Sequence, residues 1–363
     1  MPKLTKYLLI GSTESYSGKS AVILGLAHQL QQKQLDIGYG KPLGTCWNEP
    51  QTDAIDEDVK FLAQSLNLSS DRIRPTLFFL TEDAVAKRIR GEDKLDYCAE
   101  LANYLNMAGG ELVLLEGPGT LEEGTLFDFS LLDAANSIDA SILLVSRWQS
   151  LLSVHKLLAA KRLLGDRLLG VVLNDVPTEQ MEMAQAEIRP FLEKRDVPVL
   201  GILPRSALLR SVTVKQLVKQ LKAEVLCHSD RLDLLVESLT IGAMDVNSAL
   251  KYFRKGRNMA VVTGGDRTEI QLAALETSTQ CLILTGHIPP SDLILSRAED
   301  LEIPIISVDL DTLTTVEIID RAFGQVRVQE PIKVECVRQL MAEHFDINRL
   351  LAKLDLQTAV TLP

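Results

Sequence analysis

Short apolar runs alternate along the chain with segments whose apolar residues recur every three or four positions. Tyr7–Ile10 reads as a strand, and Ser20–Gln32 as a helix with Val22, Ile23, Leu26 and Leu30 on one side. Strand-like Ile37–Lys41 and helical Asp56–Leu66 follow, then strands at Leu112–Glu116 and Ala140–Ser146. The alternation continues with helix Leu151–Leu164, strand Leu168–Asn174, helix Glu179–Lys194 and strand Val199–Leu203. Strands that are apolar almost throughout and are mostly followed by helices predict a parallel sheet covered on both faces.

The pattern weakens over Ala223–Asp233, which reads as a connection, and then resumes. Met259–Thr263, Cys281–Thr285 and Ile303–Val308 are predicted strands, with helices at Glu269–Leu275 and Ser291–Asp300, a further helix from about Thr315, and a helical stretch at Pro331–Leu354. The expected organisation is a first α/β domain over 1–225, a smaller α/β domain over 232–330 and a helical tail over 331–363. A length of 363 residues agrees with more than one core.

Composition narrows the classes. A net charge of −11 argues against a nucleic-acid partner, and no apolar run is long enough to span a bilayer, so neither nucleic acid nor membrane is expected. The five cysteines (Cys46, Cys98, Cys227, Cys281 and Cys336) form no CxxC pair. That usage fits a reduced, cytoplasmic protein without structural zinc.

The first chemical signal lies between strand Tyr7–Ile10 and the following helix. Gly11-Ser-Thr13-Glu-Ser-Tyr-Ser17-Gly18-Lys19-Ser20 has the make-up of a phosphate loop. Glycine lets backbone amides turn inward on phosphate oxygens, the positive helix end faces the anion, the lysine reaches the terminal phosphates, and the serine hydroxyl can meet magnesium. The usual glycine five positions before the Gly-Lys pair is replaced by Thr13, so the loop is a variant.

Further segments occur in the order seen in dethiobiotin synthetases and cobyrinic acid amidases, and the first domain resembles that group of P-loop proteins. Gly38-Tyr-Gly-Lys41-Pro42 is similar to its second-strand Lys-Pro segment, and Val113-Leu-Leu-Glu116-Gly117-Pro-Gly119 to its Glu-Gly-x-Gly segment. The resemblance implies that Lys41 lies near the phosphates and that Glu116 serves magnesium, with Ser20. Asp53, Asp56 and Asp58 lie where an aspartate for the same ion is found, without a unique alignment. Asn174, in Gly170-Val-Val-Leu-Asn174, and Pro204-Arg205 are similar to the base-pocket segments, in which the asparagine reads adenine. The implied ligands are ATP or ADP with magnesium, the catalytic candidates are Lys19 and Lys41, and the loop contacts are Gly11, Thr13, Ser17, Gly18, Lys19 and Ser20.

Gly242-Ala243-Met244, Val261-Val262-Thr263-Gly264-Gly265-Asp266-Arg267-Thr268, Thr285-Gly286 and Ile303-Pro304 resemble a DRTGG domain. In phosphotransacetylases this module follows a dethiobiotin-synthetase-like domain in the non-catalytic half. The resemblance implies a regulatory nucleotide-binding protein, a homo-oligomer with a metabolic enzyme as partner, and no acetyl transfer by this chain itself. Gly264, Gly265, Asp266, Arg267 and Thr268 are the candidates for a second ligand. Read on its residues alone, the motif is equally a turn in which Asp266 caps the next helix and Arg267 forms an ion pair. His287 reads as a hydrogen-bonded loop residue. Two other functions stay open: a magnesium-ATP ligase or slow ATPase of the dethiobiotin synthetase type, and an interaction module with a vestigial loop.

Overall fold

A computed structural model describes residues 5–44, 56–74, 76–105 and 110–356. Cys46 and Asp53 lie outside the described residues. The chain forms two compact units, one made of Met1–Arg205 with Val328–Pro363 and the other of Ser206–Arg327.

The first unit is built on a seven-stranded sheet. We number its strands β1 (Lys6–Ser12), β2 (Ile37–Gly40), β3 (Ile73–Arg74), β4 (Leu112–Glu116), β5 (Ser141–Arg147), β6 (Leu168–Val176) and β7 (Val199–Pro204). The order is β3-β2-β4-β1-β5-β6-β7, with every pairing parallel. This is the expected architecture, and its cause is visible in the residues: Leu8, Leu9, Ile10, Leu114, Leu115 and Ile142–Val145 are at most 1% exposed, so both faces are covered. After β1 the chain turns through helix α1 (Lys19–Gln32) toward β2, whereas after β5 it turns the other way toward β6. Connections that diverge from adjacent strands open a crevice at the carboxyl ends of β1 and β5.

The domain boundary departs from expectation. It falls after Arg205 rather than near 225, because the residues that follow belong to the second core. Val214, Leu217 and Leu221 on helix α2 (Val214–Leu221) pack with Ile319 and Ala322 on helix α6 (Thr312–Gly324). The supposed connection contains a strand, β8 (Glu224–Cys227). It pairs antiparallel with β12 (Ile305–Val308) at one edge of a second sheet. Strands β9 (Ser238–Ile241), β10 (Met259–Gly264) and β11 (Thr279–Thr285) complete that sheet in the order β8-β12-β11-β10-β9. Helices α3 (Val246–Phe253), α4 (Thr268–Leu275) and α5 (Asp292–Asp300) connect its parallel strands in unbroken succession, so this sheet has no point of divergence.

The helical tail is not a separate element. Helices α7 (Pro331–His344) and α8 (Ile347–Lys353) return to the first unit and lie on α1, β6 and β7. Gly25 of α1 is the close-approach point: a Cβ there would stand 2.3 Å from Met341 Cγ and 3.3 Å from Val337 Cγ1. Phe345 pairs through its backbone with Gly201 of β7, and Asp346 N donates to Leu200 O at 2.8 Å. Helix α1 is consequently buried nearly all round, with Leu24, Gly25 and Ala27 covered as well as the predicted stripe.

Candidate functional site

The phosphate loop runs from the end of β1 to the first turn of α1, at the crevice. Close packing restricts Gly11, where a Cβ would stand 2.3 Å from Leu131 Cδ2. Gly18 has φ +94°, and a Cβ there would meet Asn174 Nδ2 at 2.2 Å. Thr13, in place of the common glycine, ties the loop across the crevice: its hydroxyl donates to Ser146 Oγ at 3.1 Å and its amide to Val145 O at 3.4 Å. The variant loop is thus anchored to β5 through a side chain that glycine lacks.

Lys19 Nζ donates to Ser12 Oγ at 3.1 Å. Ser20 Oγ donates to Glu116 Oε1 at 3.0 Å, and Tyr39 OH donates to Glu116 Oε2 at 3.1 Å. Glu116 stands at the carboxyl end of β4 and is 4% exposed. Burial, and then the Glu116 charge, hold the Tyr39 phenol well above its usual pKa, so it stays protonated as a donor. Burial lowers the Lys19 ammonium below the ordinary lysine value, with the carboxylates of Glu116 and Glu123 opposing it.

Lys41, just past β2, is almost fully buried and pairs with Asp58 Oδ2 at 2.6 Å and Asp56 Oδ2 at 3.0 Å. Asp56 also caps the helix Glu57–Ser65 by accepting from Asp58 N at 2.9 Å. Burial alone would lower Lys41, but Glu116, Asp58 and Asp56 outweigh it and raise it above the ordinary value. The two aspartates expected at magnesium therefore close on Lys41. Among the described residues no three acid, histidine or cysteine side chains form a ready metal cage. Ser20 and Glu116 remain as hard oxygen donors of the kind magnesium takes, with water and phosphate oxygens completing the shell.

Asn174, the expected reader of adenine, donates through Nδ2 to Ser17 O at 2.8 Å and so braces the loop. Its neighbour Asp175 accepts from Arg147 Nε at 2.9 Å and Arg205 Nε at 3.1 Å. Pro204 ends β7 beside Val176, next to Arg205. Lys19, Ser20, Lys41 and Glu116 come together, whereas Pro204 and Arg205 reach the loop through Asp175 and Asn174. Sequence reasoning missed Tyr39, for which a phenol set between two strand glycines was the available signal.

In the second unit Arg267 spends two of its donors on backbone carbonyls. Its Nη1 donates to Gly242 O at 3.1 Å and its Nη2 to Met244 O at 2.7 Å, tying the β9–α3 turn to the start of α4. Asp266 does not cap α4, which begins at Thr268 behind Arg267 with no side-chain cap. Fully buried Gln271 donates to Gly264 O at 2.9 Å and Gly265 O at 3.0 Å, and a Cβ on Gly265 would meet Ile288 O at 2.0 Å. Arg267→Ala should lower the stability of this unit by about 2 kcal/mol, by leaving two carbonyls without a charged donor. Denaturant unfolding monitored separately for each unit checks this; an unchanged midpoint for the second unit overturns it.

No helix among the described residues is long and apolar enough to cross a membrane. A family model described as an AAA domain matches residues 6–213, and the DRTGG domain model matches residues 216–322. The phosphate acetyltransferase of Nitratidesulfovibrio vulgaris is 26% identical over 97% of this chain and 52% of its own length. That of Synechocystis sp. is 26% identical over 82% of this chain and 44% of its own. The chain spans about half the length of these curated relatives. The septum site-determining protein MinD of Pyrococcus horikoshii, solved with Mg-ADP, superposes on 57% of this chain and 84% of its own at 17% identity, with a TM-score of 0.36. The chain belongs to the AAA-domain family of P-loop proteins, carries a DRTGG domain as its second unit, and is related over nearly its whole length to phosphate acetyltransferases.

Proposed function

We propose that the first unit binds an adenine nucleotide, ATP or ADP, with magnesium, and that the chain serves as a regulatory module for a metabolic enzyme. The observation that carries the reading is the pairing of Ser20 Oγ with Glu116 Oε1 at 3.0 Å beside Lys19, at the crevice of the parallel sheet. A phosphate loop, a magnesium hydroxyl and a strand-end carboxylate stand together where nucleotides bind in such sheets. Magnesium, when bound, screens the terminal phosphates; Lys19 reaches them, and Ser20 and Glu116 hold the ion. The kinship to phosphate acetyltransferases supports a metabolic context, with the second unit sensing a further ligand or holding subunits together.

Calorimetry tests the reading. Mg-ATP should bind the wild type, and Lys19→Ala should bind at least about 30-fold more weakly, a loss of about 2 kcal/mol. Removing the metal with a chelator should weaken binding by tenfold or more (about 1.4 kcal/mol), because Glu116, Glu123 and the Asp56–Lys41–Asp58 group put carboxylates beside the phosphates. Burial lowers Lys19 in the free protein, and a bound polyphosphate raises it. Between those two values binding takes up a proton, so affinity falls as pH rises through the free-protein value; titrations in buffers of different ionisation enthalpy read this uptake. No binding heat from the wild type in either condition overturns the proposal and favours an interaction module.

A magnesium-ATP ligase or ATPase of the dethiobiotin synthetase type is the second reading. Lys41 favours it, as a second buried cation held by two aspartates beside Glu116.

A further inference from the structure

Buried polar atoms without a hydrogen-bond partner are rare in folded proteins and point to a missing ligand, ion or water. Two of the few among the described residues lie in the phosphate loop: Ser17 Oγ and Glu14 Oε1. Their chemistry differs. The Ser17 hydroxyl can donate to a phosphate oxygen. A carboxylate oxygen only accepts, as phosphate oxygens do, so Glu14 Oε1 needs a donor, and the phosphate itself cannot supply one.

The carboxylate of Glu14 is held by its other oxygen. Oε2 accepts from Gln149 Nε2 at 2.8 Å, just beyond the carboxyl end of β5, and from Lys156 Nζ at 2.7 Å, on the following helix Ser153–Leu164. The loop also brings the Glu14 backbone close to the phosphate-site lysine. Lys19 Nζ donates to Ser12 Oγ, and that hydroxyl lies 2.9 Å from the Glu14 carbonyl oxygen. The lysine that reaches the terminal phosphates therefore stands one hydroxyl away from the Glu14 backbone. Neighbouring carboxylates are already engaged: Glu116 by Ser20 and Tyr39, Asp56 and Asp58 by Lys41, and Asp175 by two arginines.

We propose that Glu14 is a catalytic residue that holds and deprotonates a water molecule for hydrolysis of the bound nucleotide's terminal phosphate. The inference rests on nucleotide binding at this loop. The water oxygen attacks the terminal phosphorus, and the bond from that phosphorus to the bridging oxygen breaks, its electron pair leaving with the nucleoside diphosphate. The water proton passes to Glu14 Oε1 and from there to the released inorganic phosphate. Lys156 and Gln149 fix the carboxylate so that Oε1 faces the water.

The test measures Mg-ATP affinity by calorimetry and phosphate release in single turnovers, on the wild type, Glu14→Gln and Lys156→Ala, with thermal unfolding of each as a folding control. Glu14→Gln keeps the shape of the side chain and should bind Mg-ATP within threefold of wild type while releasing phosphate about 100-fold more slowly. Lys156→Ala frees the carboxylate and should slow release about tenfold at unchanged affinity. Phosphate release by Glu14→Gln at the wild-type rate overturns the proposal, and so does a loss of affinity as large as its loss of turnover. Wild type that binds Mg-ATP and releases no phosphate overturns it while leaving nucleotide binding intact. Absence of binding heat from the wild type removes the nucleotide reading and this inference together.

Discussion

Deleting residues 328–363 should leave the phosphate-loop unit unfolded while the second unit stays folded. Val334, Val337, Met341, Phe345, Leu350, Leu351 and Leu354 are all at most 8% exposed, and they lie on the returning helices, the link between them or, for Leu354, just past α8. Burying one such side chain is worth about 1.5–3 kcal/mol, so the seven contribute roughly 10–20 kcal/mol before allowing for residual burial in the unfolded chain. A whole domain is stable by about 5–15 kcal/mol, so the loss is comparable with everything the unit has. The deletion also uncovers Gly25 and its neighbours on α1 and strands Lys6, whose ammonium donates to Leu354 O. Limited proteolysis with peptide mapping measures the outcome: peptides from 5–205 should be cut rapidly and those from 206–327 protected. Equal protection of both regions would show that α7 and α8 are dispensable.

Gly18→Ala should weaken Mg-ATP binding by at least about 30-fold while lowering the thermal transition of the unit by only a few degrees. The backbone at Gly18 has φ +94°, which costs an L residue about 1 kcal/mol or more. The added methyl would stand 2.2 Å from Asn174 Nδ2. Either the amide swings away and gives up its bond to Ser17 O, or the loop rotates and its amides cease to converge on one anion. The folded unit loses about that strain and little more, because the loop lies outside the core. Asn174→Ala removes the brace without the strain and should cost about 1 kcal/mol of affinity. Binding by Gly18→Ala within threefold of wild type would mean that the loop amides do not set the site.

Legibility in the sequence followed the range of the physics. Strands β1, β4, β5, β6 and β7 were plain because burial on both faces leaves nearly continuous apolar residues, and Gly18-Lys19-Ser20 was plain because its geometry is local. Strand β8 was not: Glu224–Cys227 pairs antiparallel at an edge, is only half-buried, and carries a glutamate and a cysteine in place of an apolar run. The boundary moved for the same reason, since α2 reads as one more amphipathic helix and only its partners on α6 assign it to the second core. The return of α7 was hinted at by the apolar residues all round α1, which one sheet face alone does not explain. At the site, Lys19, Ser20, Lys41 and Glu116 converge as their strand-end positions suggested. Asn174, Asp56, Asp58 and Arg267 also meet partners from other segments, a backbone carbonyl or a buried ammonium, that no spacing rule reveals.

The return of the chain to its first unit also sets an order of events during translation. The second unit is one uninterrupted stretch, Ser206–Arg327, and can fold as soon as it clears the ribosome. The first unit cannot, because α7 and α8 are made only after the whole of the second unit. At about 5–20 residues per second, the nascent phosphate-loop sheet waits on the order of ten seconds for the helices that cover α1. During that interval an apolar helix face is open to solvent, so the nascent first unit should be a client for holding chaperones, and the second unit should not.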